Sequence, residues 1–203
     1  MLRLLLLACL GVAPLAAATV VCLGDSLTAG YGVAAEEAWP ALLAERWQAA
    51  GVRVINAGRS GDTSRGGLQR LGWVRQQRPD LVIVALGAND GLRGLDPQLT
   101  ERHLQRIIAG LQADGIQVVL AGMQLPTQLG ADYRQRFAAI FPRLAEAEEL
   151  PRIPFLLAGV AAVEELNQDD RIHPNAAGHR RIAETVAGVV GPLLGLPADE
   201  ASP

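Results

Sequence analysis

Short apolar, β-branched runs at residues 19–23, 52–56, 81–85, 117–121 and 154–157 alternate with longer segments in which apolar residues recur every three or four positions. Those longer segments, at residues 39–50, 64–77, 97–114, 132–150 and 176–194, predict amphipathic helices. Strand-like runs regularly followed by helical ones predict an α/β protein with a parallel sheet covered by helices. Several boundaries carry their own chemistry: Pro79 stops the second helical segment, Pro97 suits a helix first turn, and Gly51 and Gly115 fall just past helix ends. Pro142 sits inside the fourth helical segment and predicts a kink or break. Ligands of open parallel sheets bind beyond the carboxyl ends of the strands. The glycine-rich and polar residues of this chain concentrate in the loops that follow its apolar runs.

The length of 203 residues, half of them hydrophobic, suits one domain with a single core, expected over residues 19–203. Residues 1–18 read as an export signal: Arg3 precedes an apolar stretch, and Ala16-Ala17-Ala18 forms a small-residue cleavage site. Cleavage after Ala18 would leave a soluble protein, periplasmic or secreted. Leu6-Leu7-Ala8-Cys9 also has the look of a lipobox, with a very short segment before it. A membrane anchor needs about 20 apolar residues, and this stretch is shorter and contains Pro14. The formal net charge is −3 with charges interspersed, which disfavours a nucleic-acid partner. Every basic side chain other than histidine is arginine, so lysine nucleophiles, Schiff bases and a P-loop lysine are excluded. Cys22 is the one cysteine of the expected mature chain and reads as a buried apolar residue.

Four loop segments carry candidate chemistry. Gly24-Asp25-Ser26-Leu27-Thr28-Ala29-Gly30 follows the first run and places Ser26 at a glycine-flanked strand-to-helix turn, where its hydroxyl is exposed beside backbone N–H groups. Asn56-Ala57-Gly58-Arg59-Ser60-Gly61-Asp62-Thr63 follows the second, and Gly61 lacks the Cβ that would obstruct a ligand. Leu86-Gly87-Ala88-Asn89-Asp90-Gly91 follows the third and offers the Asn89 amide as a donor to developing negative charge. Asp170-Arg171-Ile172-His173 precedes the last helix, a spacing that lets Asp170 reach one imidazole nitrogen and leaves the other for a nucleophile. Taken singly, each segment also fits a helix cap or an ordinary turn. Together they supply nucleophile, donor, base and orienter on one edge of the expected sheet, and their mutual geometry is the test.

The four segments resemble the signature blocks of the SGNH-hydrolase superfamily, the GDSL esterases: G-D-S-L, a block-two glycine, G-x-N-D and D-x-x-H, in that order. The chain from Thr19 onward is similar to the small bacterial periplasmic esterases with thioesterase and lysophospholipase activity, through Ser60-Gly61-Asp62-Thr63-Ser64, Asn89-Asp90-Gly91-Leu92-Arg93-Gly94 and Gln168 to Asn175. The resemblance implies a three-layer, flavodoxin-like α/β sandwich on a five-stranded parallel sheet. It further implies Ser26 as nucleophile, His173 as base and then acid, and Asp170 as orienter. The oxyanion hole it implies consists of the Ser26 and Gly61 N–H groups with the Asn89 side chain. Neither metal nor organic cofactor is expected, since His103 and His179 read as exposed helix positions and leave few zinc ligands.

The substrate expected is a small-molecule or lipid ester of short to medium acyl chain, a thioester or a lysophospholipid. Leu92, Leu95, Met123, Leu125 and Pro126 are expected to line an apolar acyl groove, with Leu129 nearby. A histidine base also implies activity that rises with pH across the ordinary imidazole range, about 6.5. A carbohydrate O-deacetylase shares this machinery, although an aromatic content of 4% offers little for stacking on sugars. A non-catalytic ligand-binding module is the alternative from another class. Nothing in the sequence calls for more than a monomer.

Overall fold

β1 (Thr19–Gly24) is buried at every position, as a strand covered on both faces must be. In the computed structural model, which describes residues 18–196, it lies inside a five-stranded parallel sheet of order β2-β1-β3-β4-β5. The expected export signal falls on residues 1–17, outside the described residues, apart from Ala18. β3 (Leu81–Ala85) and β4 (Gln117–Ala121) complete the apolar centre, while β2 (Arg53–Gly58) forms a half-exposed edge.

β5 forms the other edge at Arg152–Ile153, two residues long, instead of the expected 154–157. Pro154 has no N–H to give the ladder, so strand pairing stops before it. The Leu156 N–H instead turns back to the Gly122 carbonyl at 2.9 Å, and Leu156 still reaches the core.

Parallel neighbours require crossover connections, and the helices in these cover both faces of the sheet. α2 (Trp39–Trp47) packs on α9 (Ala176–Leu193), whereas α3 (Ser64–Gln69) packs on α6 (Pro97–Gln112) and α6 on α8 (Ile140–Ala147). This is the three-layer flavodoxin-like sandwich. Two expected helices are divided. The break before α8 falls at Ala139, after α7 (Ala131–Ala138), and Pro142 occupies the first turn of α8, where the missing N–H costs no helical bond. The 64–77 segment divides at Arg70 into α3 and α4 (Leu71–Gln76), and Gly66-Gly67 makes this a weak stretch of helix.

His179 corrects its expectation. It is buried on α9, where its Nδ1 accepts the Trp39 N–H at 3.3 Å, and burial pushes its pKa down to about 4. His103 is also not simply exposed, for its Nδ1 lies 3.1 Å from Ser64 Oγ and burial lowers its pKa. Both imidazoles complete polar contacts between helices, which a charged sequence neighbourhood does not reveal.

Because β2 and β3 lie on opposite sides of β1, strand order reverses there and a crevice opens between the carboxyl ends of β1 and β3. α1 (Ser26–Ala29) spans that end of the sheet. It sits so close to the end of β2 that a Cβ on Gly58 would run into the Ala29 backbone.

Candidate active site

Ser26 begins α1 but does not cap it. Asp25 is the cap, with a carboxylate that accepts the Leu27 N–H at 3.0 Å, and Gly30 closes the single turn at φ 80°. This leaves the Ser26 side chain free to face the loop before α9. There His173 Nε2 lies 2.9 Å from Ser26 Oγ, and His173 Nδ1 lies 2.6 Å from Asp170 Oδ2.

The loop is built around the Asp170 carboxylate, whose Oδ1 accepts the N–H groups of Ile172 and His173, each at 2.9 Å. Arg171 adopts the left-handed region, φ 58°, to let the chain wrap the carboxylate. Burial pushes the Asp170 pKa up, but the hydrogen bonds from His173 and Ile172 outweigh it and hold the value down to about 2. The carboxylate is therefore ionised wherever an imidazole can act as a base. Such a relay can move a proton from Ser26 Oγ to His173.

The possible donors come from two other loops. An Asp62 N–H to Arg59 carbonyl bond of 3.0 Å closes a turn with Gly61 at φ 81°, a position suited to glycine. Arg93 Nη2 fixes this turn by donating to the Gly61 carbonyl at 2.9 Å. Asn89, on α5 (Ala88–Leu92), donates through Nδ2 to the Asp62 carbonyl at 3.0 Å and to Asp25 Oδ2 at 3.3 Å. The structure thus brings Ser26, Gly61, Asn89, Asp170 and His173 to one end of the sheet.

Arg70, which lies in none of the four motif segments, and Asp90, the last residue of the G-x-N-D block, support this end. Arg70 Nε donates to Asp62 Oδ2 at 2.7 Å, and its Nη atoms donate to the carbonyls of Ala57 and Gly24, at 3.1 and 3.3 Å. It therefore pins the Gly61 turn to the ends of β1 and β2. Buried Asp90 accepts from the Ser64 N–H at 2.7 Å and from Thr100 Oγ1 at 3.3 Å, which ties α3 to α5 and α6. The Ser64 contact of Asp90 and the Gly24 contact of Arg70 join residues 26 and 46 positions apart, which no local pattern marks.

Asp25 is the most perturbed carboxylate. Burial, only partly offset by the Leu27 and Asn89 hydrogen bonds, pushes its pKa up to about 6. Its folded value exceeds the unfolded one, so the fold is penalised above pH 6 and the penalty fades as pH falls toward 4. At neutral pH the cost is about 3 kcal/mol. We expect Asp25→Asn to be most stable relative to wild type at pH 7.5, with that advantage falling by pH 5. Urea titrations at the two pH values check this, and a pH-independent difference would contradict it.

A cavity of about 560 Å³ extends from Ser26 and Asn89. Leu92, Met123, Leu125 and Pro126 line it, joined by Phe155, Leu157, Val163 and Ile172. Phe155 and Leu157 belong to the segment read as a fifth strand, and they reach the cavity because β5 ends early. Leu95 does not line it. The chain turns away at Gly94, φ 68°, leaving Leu95 40% exposed with its carbonyl bonded to Tyr133 Oη at 2.7 Å. Leu129 packs against the core. Among the described residues no group of three His, Cys, Asp or Glu side chains converges to hold a metal, and no helix is long and apolar enough to cross a membrane.

A three-layer α/β sandwich with a Ser–His–Asp relay at its switch point defines a serine hydrolase of the α/β class. Residues 22–181 match the GDSL-like lipase/acylhydrolase family, and the chain belongs to that family. It is 43% identical over 180 residues to thioesterase 1/protease 1/lysophospholipase L1 of Escherichia coli K12, covering 88% of this chain and 86% of that protein. It is 40% identical over 182 residues to the esterase TesA of Pseudomonas aeruginosa, covering 88% and 90%. A crystal structure of TesA superposes with a TM-score of 0.83 at 39% identity, covering 86% of this chain and 99% of that one.

Proposed function

We propose that the chain is an exported, monomeric serine esterase that cleaves short- to medium-chain acyl esters, with thioesters and lysophospholipids within reach of the same site. In this reading Ser26 Oγ attacks the carbonyl carbon while its proton passes to His173 Nε2, and the new negative charge meets the N–H groups of Ser26 and Gly61 and the Asn89 amide. Asn89 releases its longer bond, 3.3 Å to Asp25, to do so. The protonated imidazole then gives its proton to the leaving oxygen or sulfur. Water, deprotonated by the same imidazole, attacks the acyl-enzyme, releases the acid and returns the proton to Ser26 Oγ.

The observation that carries the proposal is the continuous chain of contacts from Ser26 Oγ through both ring nitrogens of His173 to Asp170, 2.9 and 2.6 Å long. All reacting groups come from one chain, so no second copy is needed. The N-terminal pattern of residues 1–18 supports export, and the relatives named as thioesterase, lysophospholipase and esterase support the substrate class.

Hydrolysis of nitrophenyl esters of increasing chain length tests the acyl site. The apolar cavity predicts kcat/KM that rises from acetate to a maximum among short to medium chains. A steady fall from acetate upward would count against it and favour a deacetylase. Parallel assays of oxyesters, thioesters, lysophospholipids and acetylated sugars rank the substrate classes, and Ser26→Ala should abolish every activity.

A further inference from the structure

Tyr31 has no part in the chemistry described so far, yet its ring lies against the His173 ring, with centroids 4.6 Å apart and planes tilted by 45°. The side chain is 53% exposed, which is poor use of an aromatic ring if burial were its purpose. Its backbone is held closely. Gln168 Nε2 donates to the Tyr31 carbonyl at 2.7 Å and to the Pro174 carbonyl at 2.9 Å, and the Gln168 N–H donates to the His173 carbonyl at 2.8 Å. Gly32, at φ 79°, lies so close to Gln168 that a Cβ would strike its amide. One glutamine thus brackets the loop carrying Tyr31 to the loop carrying His173, across 137 residues of sequence.

Resting on the esterase reading, we propose that Tyr31 is a positioning residue for His173, held by Gln168, whose ring packs against the imidazole and stabilises the imidazolium formed as Ser26 attacks. An aromatic π-face attracts a cation placed over it, and a ring beside the imidazole also restricts its rotation away from Ser26. The other groups that face His173 are Asp170 on its own loop, Ser26 and Asp25 from the first loop, and His179 on α9. Tyr31 acts on the same imidazole from a separate segment.

The test compares wild type with Tyr31→Phe, Tyr31→Leu and Ser26→Ala on one nitrophenyl ester, measuring kcat, KM and the pH midpoint of kcat/KM. Phenylalanine keeps the ring and should stay within about twofold of wild type. Leucine keeps bulk but removes the π-face, so kcat should fall about three- to tenfold at little change in KM, and the pH midpoint should move down. Melting temperatures should stay level, since Tyr31 is half exposed. Wild-type kcat and midpoint in Tyr31→Leu would overturn the assignment while leaving the esterase reading intact. Activity surviving in Ser26→Ala would instead overturn that reading.

Discussion

Replacing His173 by alanine should lower kcat on a nitrophenyl ester by about 10⁴-fold or more, and adding Ser26→Ala should cost almost nothing further. The expectation follows from the relay. Without the imidazole, the Ser26 hydroxyl keeps its proton and is a weak nucleophile. Without the hydroxyl, the imidazole has nothing to activate but water. Groups that act as one unit lose the same step whichever is removed, so their effects do not add. Single and double variants assayed at saturating substrate settle the matter. A double variant much worse than either single one would mean that the two residues serve separate steps. Asp170 remains ionised down to about pH 2, so it should take no part in the acid limb of activity.

Asn89→Ala should lower kcat by about 10²–10³-fold, a rise of about 3–4 kcal/mol in the barrier, with KM changed little. The amide would bind charge that exists only after attack, so its loss weakens the transition state and not the bound ester. The variant also leaves the Asp62 carbonyl and the Asp25 carboxylate without its amide donor. Asn89→Asp therefore makes a useful companion, since it fills the space but brings negative charge beside Asp25 and the oxyanion. It should be at least as impaired as the alanine variant. Asn89→Ala with kcat near wild type and KM raised would assign the amide to ground-state binding instead.

Much of the fold was legible because each buried strand is a continuous apolar run. The segments 81–85 and 117–121 coincide with β3 and β4, both flanked on either side by other strands. The edges were less legible, since β2 is half exposed and β5 is cut to two residues by Pro154. The site loops could be read because Ser26, Gly61, Asn89 and His173 each follow a strand or precede α9, and the chain's local order carries that information. What could not be read depends on long-range contact. Arg70, which pins the Gly61 turn, is in the sequence one polar residue within the 64–77 segment, and Tyr31 lies between Gly30 and Gly32, so neither local pattern reveals the contact it makes. His179, expected to be exposed beside Arg180 and Arg181, lies on the buried face of α9, against Trp39. Leu95 was placed in the groove by its neighbours, and the turn at Gly94 took it out.

The central claim is that Ser26 forms a covalent bond to the group it attacks, and stoichiometric labelling by an alkyl phosphonate nitrophenyl ester, which releases nitrophenolate as the serine oxygen bonds to phosphorus, tests it most directly. Incubation of the intact protein should add one phosphonyl group, located by peptide mass spectrometry on Ser26, with activity lost in proportion and no adduct in Ser26→Ala. Full activity in a phosphonate-resistant protein, or an adduct on another residue that accounts for the inactivation, would contradict the account.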